Sequence, residues 1–488
     1  MRKADTDMII QKGVTITILG IATFLCIYLS LFYGYSIGMA LGLFPFILCY
    51  IFISIYKPYF SLLFLFILNY FIMGIARYIS FSIPITNIYD LFFALIFASI
   101  TLRQIYQEDK FRNIFNLYAL FSLIWLLYCT INLGNGITGE IQAEAWLKNA
   151  RPLAMYSFFT CLVVAMSGKH YSFIRYFLII WGILTLLGAA RGYWQKNHGF
   201  DYAELAWVLG RGASTHLIYS GIRYFSFFTD AANFGCSMGL SSTVFFLTSF
   251  YTKKIYLKLF YLIISAAAAY GLLISGTRAS IAVPIAGLGL FIFLSKNWKI
   301  AITSAFILIC GIIFLKYTNI GESNALIRRM RTAFDTEDAS FQVRLNNQRA
   351  LKAYMSETPF GIGIGVSQEF LSPQNKYYFV ATCPPDSDLV NIWIRTGKVG
   401  LTIYLIIQFF IFFCGSYTLL FRIKNPEIRG PLTGMLCGCA GMLVASYANM
   451  VYFQFPNGPI IYTCLTLVFL GPYFDKQYTA EHIHGETA

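Results

Sequence analysis

The sequence predicts an all-α polytopic membrane protein broken by one large polar segment. Three observations carry this prediction. Of 488 residues, 58% are hydrophobic and 12% charged, about half the charged fraction of an ordinary soluble domain, and the mean hydropathy is +0.64. The apolar residues fall in successive runs near the roughly 20 residues that a membrane-spanning helix needs. The formal charge of +14 collects in the connections between those runs. This pattern points to membrane topology and anionic ligands and away from nucleic acid. The 47 Phe and 34 Tyr suit lipid-facing and interfacial positions.

In chain order the apolar runs are 13–33, 35–56, 59–76, 86–102, 114–134, 153–168, 176–193, 231–251, 259–276, 279–295, 300–316, 398–421, 431–450 and 458–475. Very tight turns within 13–56 and 259–295 set the expected number at twelve to fourteen spanning helices. Residues 1–12 are polar and the run after them is too long for a signal h-region, so it is expected to be a first span. The connections at Lys57, Arg103 to Arg112, Lys169 to Arg175, Lys253 to Lys258, Lys296 to Lys299 and Arg422 to Arg429 all carry Lys or Arg. The positive-inside rule assigns them to the cytoplasm. Both termini are then cytoplasmic, and the loops 135–152, 194–230 and 317–397 lie outside. The whole chain, 1–488, is expected to be a single integral membrane domain.

Ten of the eleven cysteines lie in or beside apolar runs and Cys383 stands alone in an outer loop, so no disulfide framework is expected. Among the histidines, only His198 and His216 fall outside, without metal-ligand spacing. There is no Walker-type loop. We expect neither a metal nor another cofactor.

The interval 317–397 holds most of the residues that suggest chemistry. It carries Arg328, Arg329 and Arg331, then Arg344, Arg349 and Lys352. After these come Pro359-Phe360-Gly361-Ile362-Gly363-Ile364-Gly365 and Pro384-Pro385-Asp386-Ser387-Asp388. Ser340 is the expected cap of a helix running to about Glu357, with Arg344 and Arg349 as a cationic pair. Arginine suits phosphate because its planar fork bonds two oxygens at once and stays charged. Arg328, Arg329 and Arg331 suit lipid headgroups. Asp386 and Asp388 have two readings: a general base acting on a hydroxyl, or an N-cap pair opening the next helix. Arg395 lies close after them. The glycines at 361, 363 and 365 fit a turn after Pro359 better than a dinucleotide fingerprint, because no βαβ unit surrounds them.

Two further sites lie upstream. Arg278, in Ser275-Gly276-Thr277-Arg278-Ala279-Ser280, sits between two apolar runs. A charged residue there is either functional or a snorkelling helix end. Arg223 precedes Asp230 and Asn233 at the head of a span, where Asp230 fits a helix cap.

In these residues the chain resembles the O-antigen ligase and O-antigen polymerase superfamily of bacterial envelope glycosyltransferases. Gly276-Thr277-Arg278 is similar to the family's Ser-Arg-like motif, and Arg344 and Arg349 leading into Pro359-Phe360-Gly361-Ile362-Gly363 to its Arg-rich stretch and P-x-x-G-x-G turn. Gly397 and Gly400 match a Gly-x-x-Gly that follows a His-Asn-x-x-Leu segment. That alignment puts Asp386 where the family has His, and Val390 where it has Leu. Arg223 with Asn233 resembles the upstream Arg and Asn element. The likeness spans about 220–415.

The resemblance implies a C-type membrane glycosyltransferase of the bacterial inner membrane, metal-independent and inverting. Its donor would be a glycan on undecaprenyl pyrophosphate at the outer face. Its acceptor would be lipid A-core in a ligase, or another lipid-linked glycan in a polymerase. Asp386, Asp388 and Arg278 would then be catalytic, and Arg223, Arg278, Arg344 and Arg349 would bind pyrophosphate. Asn233, Asp230 and Arg395 are further candidates. Competing readings are a lipid-linked glycan flippase and a passive scaffold. Transporters usually carry repeated halves and ionisable groups at the midplane, whereas these charges gather at outer helix ends.

Overall fold

The structure is a computed structural model. It describes residue 28 and residues 35–79, 84–106, 115–135, 137–139, 143–218, 221–335, 337, 339–369 and 371–485. Apart from Tyr28, the run 13–33 lies outside the described residues.

The chain begins with helices α1 (Tyr35–Tyr56), α2 (Pro58–Tyr78), α3 (Thr86–Tyr106) and α4 (Leu117–Ile131). Helix α5 (Ala143–Ala150) passes through a π-turn, Arg151–Met155, into α6 (Tyr156–Ser167). Next come α7 (Ser172–His198), two short helices α8 (Tyr202–Leu209) and α9 (Ala213–His216), and a two-stranded antiparallel hairpin, β1 (Leu217–Ile218) and β2 (Gly221–Ile222). Helices α10 (Ala231–Tyr251), α11 (Ile255–Ile274) and α12 (Ala282–Leu294, entered through a 3-10 turn at Arg278–Ile281) lead to α13 (Trp298–Tyr317). The polar interval contains α14 (Ala325–Arg331), α15 (Ala339–Met355) and α16 (Tyr378–Thr382). The chain ends with α17 (Asp388–Tyr417), α18 (Pro426–Ser446) and α19 (Asn457–Gly485).

Every described apolar run is helical. Among the described residues, nine helical segments are long and apolar enough to cross a membrane, and Phe44–Tyr56 and Arg278–Leu294 are shorter apolar stretches. Helices α10 and α19 are long enough but less apolar than the nine, and both lie largely buried in the bundle. Most of α10 is buried, and it packs against α11, α12 and α18. Small residues make that approach possible: a Cβ added at Gly441 of α18 would lie 2.2 Å from the Val283 carbonyl oxygen.

Two boundaries differ from expectation. Helix begins at Ala143, not 153, although Glu144, Lys148 and Arg151 make that stretch polar. Arg151 is held by Asp90 and by Asn87 (Nη1 to Oδ1, 3.0 Å). The last long connection ends at Ser387, whose hydroxyl caps α17, rather than at Gly397. Residues 389–394 supply enough apolar surface for helix: Val390 and Ile394 pack with Leu351, Met355, Ile362, Val366 and Val380 in a second core. That cluster seats α15 on protein. α15 starts at Ala339, one residue before its expected cap, Ser340.

Gly397 breaks α17 with φ 70° and ψ −173°. The Pro359–Gly363 turn docks on this break. Val399 N donates to Pro359 O (3.1 Å), Ile362 N to Ile394 O (2.9 Å) and Gly363 N to Arg395 O (3.0 Å). Gly361 is also left-handed (φ 77°), and a Cβ there would meet the Arg395 carbonyl carbon at 2.4 Å. These glycines therefore make a turn and a backbone contact, where a side chain would clash.

The connections assigned to the cytoplasm meet at one end of the bundle. Lys57, Arg103 and Lys169 line one recess there, and Arg175, Lys253, Glu427 and His482 line another. The long connections meet at the other end.

Candidate active site

The hairpin between α11 and α12 carries the first part of the site. Ser275 Oγ accepts from Thr277 N (3.1 Å), and Thr277 Oγ1 donates to Ala231 O at the head of α10 (2.9 Å). Gly276, with φ 59°, opens this turn. Arg278 leaves it with Nη1 3.3 Å from the Thr332 hydroxyl.

The segment after α7 supplies Arg223. It is fastened by Arg77, which donates to the carbonyls of Ser226 (3.3 Å), Phe228 and Thr229 (3.0 Å) and lies over the rings of Trp207 and Phe225. A buried Gln195 accepts from Ser226 N (2.8 Å). His216 Nε2 accepts from Ala231 N (3.1 Å), so its proton sits on Nδ1 when the ring is neutral. Burial holds this histidine down at about 4. Arg223 then donates to Thr215 O (2.9 Å) and to Thr277 Oγ1 (2.6 Å).

Four arginines from four segments line one cavity of about 290 Å³: Arg223, Arg278, Arg329 and Arg344. Thr215, Thr277, Asn449 and a single carboxylate, Asp386, also line it. Arg329 Nε donates to Gly276 O, and Arg344 Nη2 lies 3.5 Å from Asn449 Oδ1. Burial pulls the Arg223 guanidinium below its ordinary range. Arg278 and Arg344 add to this by repulsion, and Asp230 works against it. Arg223 Nε is buried with no hydrogen-bond acceptor among the described residues. A buried donor of this kind calls for an acceptor.

Asp386 is half-buried, and desolvation raises its carboxyl above the usual range, with Arg344 opposing. Its φ of 48° is unusual for a residue with a Cβ, though Asp is among those that tolerate it. This turn matters because segment 383–388 is a partition. Cys383, Pro385 and Asp388 line a second cavity of about 940 Å³, while Asp386 lines the arginine cavity. Residues 449–455 complete the partition, with Asn449 on the arginine side and Met450, Phe453, Gln454 and Phe455 on the other.

The remaining residues singled out from the sequence lie elsewhere. Asp388 is buried, and one of its oxygens accepts from Val451 N and Tyr452 N (both 2.8 Å), so it braces the partition. Arg349 is exposed and bonds only weakly to Asn346 (3.4 Å). Five residues along a helix turn a side chain by about 140°, so Arg349 and Arg344 do not share a face. Asp230 caps α10, accepting from Ala232 N (2.7 Å) and Asn233 N (2.9 Å). Asn233 donates to Phe455 O (2.7 Å) and accepts from Asn457 (2.6 Å). Arg395 donates to Asn391 (2.9 Å), Ile364 O (3.3 Å) and Val366 O (3.2 Å), locking the glycine turn.

Arg329, read from sequence as a headgroup contact, joins the cavity. A signal for it existed. Leu326 and Met330 stand at i and i+4 and are both drawn into the core, and Arg329, at i+3 from Leu326, shares that face. Asn449 had no such signal. Among the described residues no three His, Cys, Asp or Glu side chains form a group able to hold a metal.

Among curated proteins, none matches this chain. Residues 262–405, somewhat under a third of the chain, match the family model for O-antigen ligase (Wzy_C). The matched segment contains Arg278, Arg329, Arg344 and Asp386, and the match supports the chain's place in the O-antigen ligase and polymerase superfamily.

Proposed function

We propose that this protein transfers a glycan from undecaprenyl pyrophosphate to an acceptor sugar at the outer face of the bacterial inner membrane, as an O-antigen ligase with lipid A-core as acceptor. The observation that carries this reading is the convergence of Arg223, Arg278, Arg329 and Arg344 on one cavity with Asp386 in its wall. In the reaction the acceptor hydroxyl oxygen attacks the anomeric carbon and the bond from that carbon to the pyrophosphate oxygen breaks. The diphosphate departs with the bonding electrons, and the hydroxyl proton passes to the Asp386 carboxylate. Attack from the face opposite the leaving group inverts the anomeric configuration. Guanidinium groups already fixed in place stabilise the charge as it develops. The reaction takes its positive charge from these groups rather than from a metal ion.

Orientation is part of the proposal: the connections rich in Lys and Arg face the cytoplasm with both termini, and 317–387 faces the periplasm. Deletion of the gene followed by gel analysis of surface glycans tests the reading. Loss of all long chains from lipid A-core is the expected result. A single unpolymerised repeat left on the core would instead assign the polymerase reaction, and unchanged glycans would overturn both. Cysteine labelling that places 317–387 in the cytosol would also overturn the proposal.

A further inference from the structure

The cavity of about 940 Å³ across the partition takes no part in the charge stabilisation proposed above. Three cationic residues line it, Lys148, Arg151 and Arg395, and three carboxylic ones, Glu144, Glu369 and Asp388, so neither sign prevails. Tyr156, Phe453 and Phe455 give it an aromatic wall. Its size is that of a small-molecule site, where a few placed polar groups on largely apolar walls orient the ligand.

Three side-chain amides in the lining supply such groups, and each is tied to the protein at one end only. Asn149 Nδ2 donates to Ile364 O (2.9 Å). Asn391 Oδ1 accepts from Arg395 Nε (2.9 Å). Gln454 Oε1 accepts from Asn233 Nδ2 (3.0 Å) and from Thr229 Oγ1 (3.1 Å). A carbonyl oxygen only accepts and a guanidinium only donates, so the first two amides have one orientation. Asn233 Nδ2 also donates to Phe455 O (2.7 Å), which orients Gln454 in turn. The ends left over are one acceptor, Asn149 Oδ1, and two donors, Asn391 Nδ2 and Gln454 Nε2. Among the described residues these ends have no partner, and all three side chains are only partly buried.

We propose that this cavity binds a neutral saccharide segment through its hydroxyl groups. A hydroxyl both donates and accepts, so sugar hydroxyls satisfy Asn149 Oδ1 as well as Asn391 Nδ2 and Gln454 Nε2. The apolar face of a sugar ring packs on the aromatic wall. Lys148 is paired with Glu369 (3.4 Å), Arg151 with Asp90, and Arg395 with Asn391 and two carbonyls, so an anion gains no advantage here over a neutral segment. Two glycans in the proposed transfer carry sugars, the one on the lipid donor and the one on the acceptor. Assigning the segment to either rests on that transfer, whereas the binding itself does not.

The test uses the purified full-length protein in detergent and two probes, the repeat-unit oligosaccharide and the core oligosaccharide of the source bacterium. Each is cut from its lipid and tried before and after removal of phosphate. The readout is the half-saturation of the shift in thermal unfolding midpoint. At least one phosphate-free probe should bind saturably: the repeat unit alone assigns the donor glycan, the core alone the acceptor, and both together a segment common to the two. Asn391→Asp and Gln454→Glu keep the acceptor used by Arg395, Thr229 and Asn233 and lose only the spare donor. Each should weaken binding about fivefold, the scale of one hydrogen bond. Ser367→Trp, at a partly buried position of the lining, should fill the space and abolish binding while leaving those bonds alone, and it decides the matter should a carboxylate variant fold poorly. No binding of either probe, binding that requires phosphate, or three variants that bind as wild type would each overturn the proposal. Failed binding beside normal transfer would remove this site alone, whereas unchanged surface glycans after gene deletion would remove the transferase reading and leave a measured saccharide site standing.

Discussion

The arginine cavity and the larger cavity behind it share a wall, yet they use charge in opposite ways. The larger one has about three times the volume and mixes signs: Glu144, Lys148, Arg151, Glu369, Asp388 and Arg395 stand among Tyr156, Phe453 and Phe455. Most of that charge is already committed. Lys148 pairs with Glu369 (3.4 Å), Arg151 with Asp90, Asp388 with two backbone amides and Arg395 with two carbonyls. What remains is a roomy, polar, aromatic-walled space fit for a neutral sugar chain. In the smaller cavity four guanidinium groups face one carboxylate, and Arg223 keeps a buried donor without an acceptor among the described residues. That arrangement fits a compact, multiply charged anion. The difference teaches that the number of charged residues lining a cavity says little until each one's internal partners are known.

The sharpest way to break the comparison is to remove a guanidinium that only the small cavity uses. Arg278→Ala should lower glycan transfer by about a hundredfold or more, the scale on which losing a fixed donor to developing charge slows a reaction. Transfer assayed in isolated membranes with lipid-linked donor checks this. Membrane levels of the variant, measured alongside, separate a loss of transfer from a loss of folding. Wild-type rates in that variant would remove Arg278 from the mechanism.

Asp386 and Asp388 sharpen the contrast at closer range, on opposite sides of one wall. Asp386→Asn should lower transfer by about a hundredfold, the lower bound for losing a general base, and leave folding intact. Asp388→Ala should act on stability, since two buried amides lose their acceptor at about 1–3 kcal/mol each. Its yield and unfolding temperature should fall before its specific activity does. The pH profile adds a sign. A base works deprotonated, and burial raises the Asp386 carboxyl. The acid limb of the wild-type rate should therefore lie above the ordinary carboxylate range and disappear in Asp386→Asn. The raised value also means that the folded state holds this proton more tightly than the unfolded chain. Its contribution to stability is present in acid and is lost as pH rises through the folded value.

The sequence reveals the bundle because hydropathy is a one-dimensional signal: a run of apolar residues becomes a helix wherever it lies. Hydropathy missed the helix at 143–152 and placed the last long connection's end at 397, although the capping reading of Asp386 and Asp388 put a helix start near Asp388; these helices are built from mixed residues and gain their apolar partners from distant segments, as Val390 and Ile394 do from Leu351 and Met355. The site was visible to the same degree. Arg223, Arg278, Arg344 and Asp386 stood out as charges in an apolar chain. Which charges meet depends on helix phase and on loop packing. Phase was readable for Arg329 through Leu326 and Met330, whereas Asn449 reaches the cavity through a turn that composition does not mark.

The smallest expected effect tests that argument about phase. Arg344 and Arg349 carry the same charge on the same helix, so a loose cationic surface would use both. In a built cavity only Arg344 counts, because it lines the space with Asp386 and Asn449 while Arg349 is exposed on another face of α15. Arg349→Ala should leave transfer within about twofold of wild type, as for other surface changes. Arg344→Ala should lower it strongly, and Arg344→Lys should restore only part, since an ammonium replaces charge without the planar fork. If the two alanine variants lose activity equally, α15 contributes only diffuse positive charge, and the four-arginine site is reduced to the residues on the α11–α12 hairpin, α14 and the segment before α10.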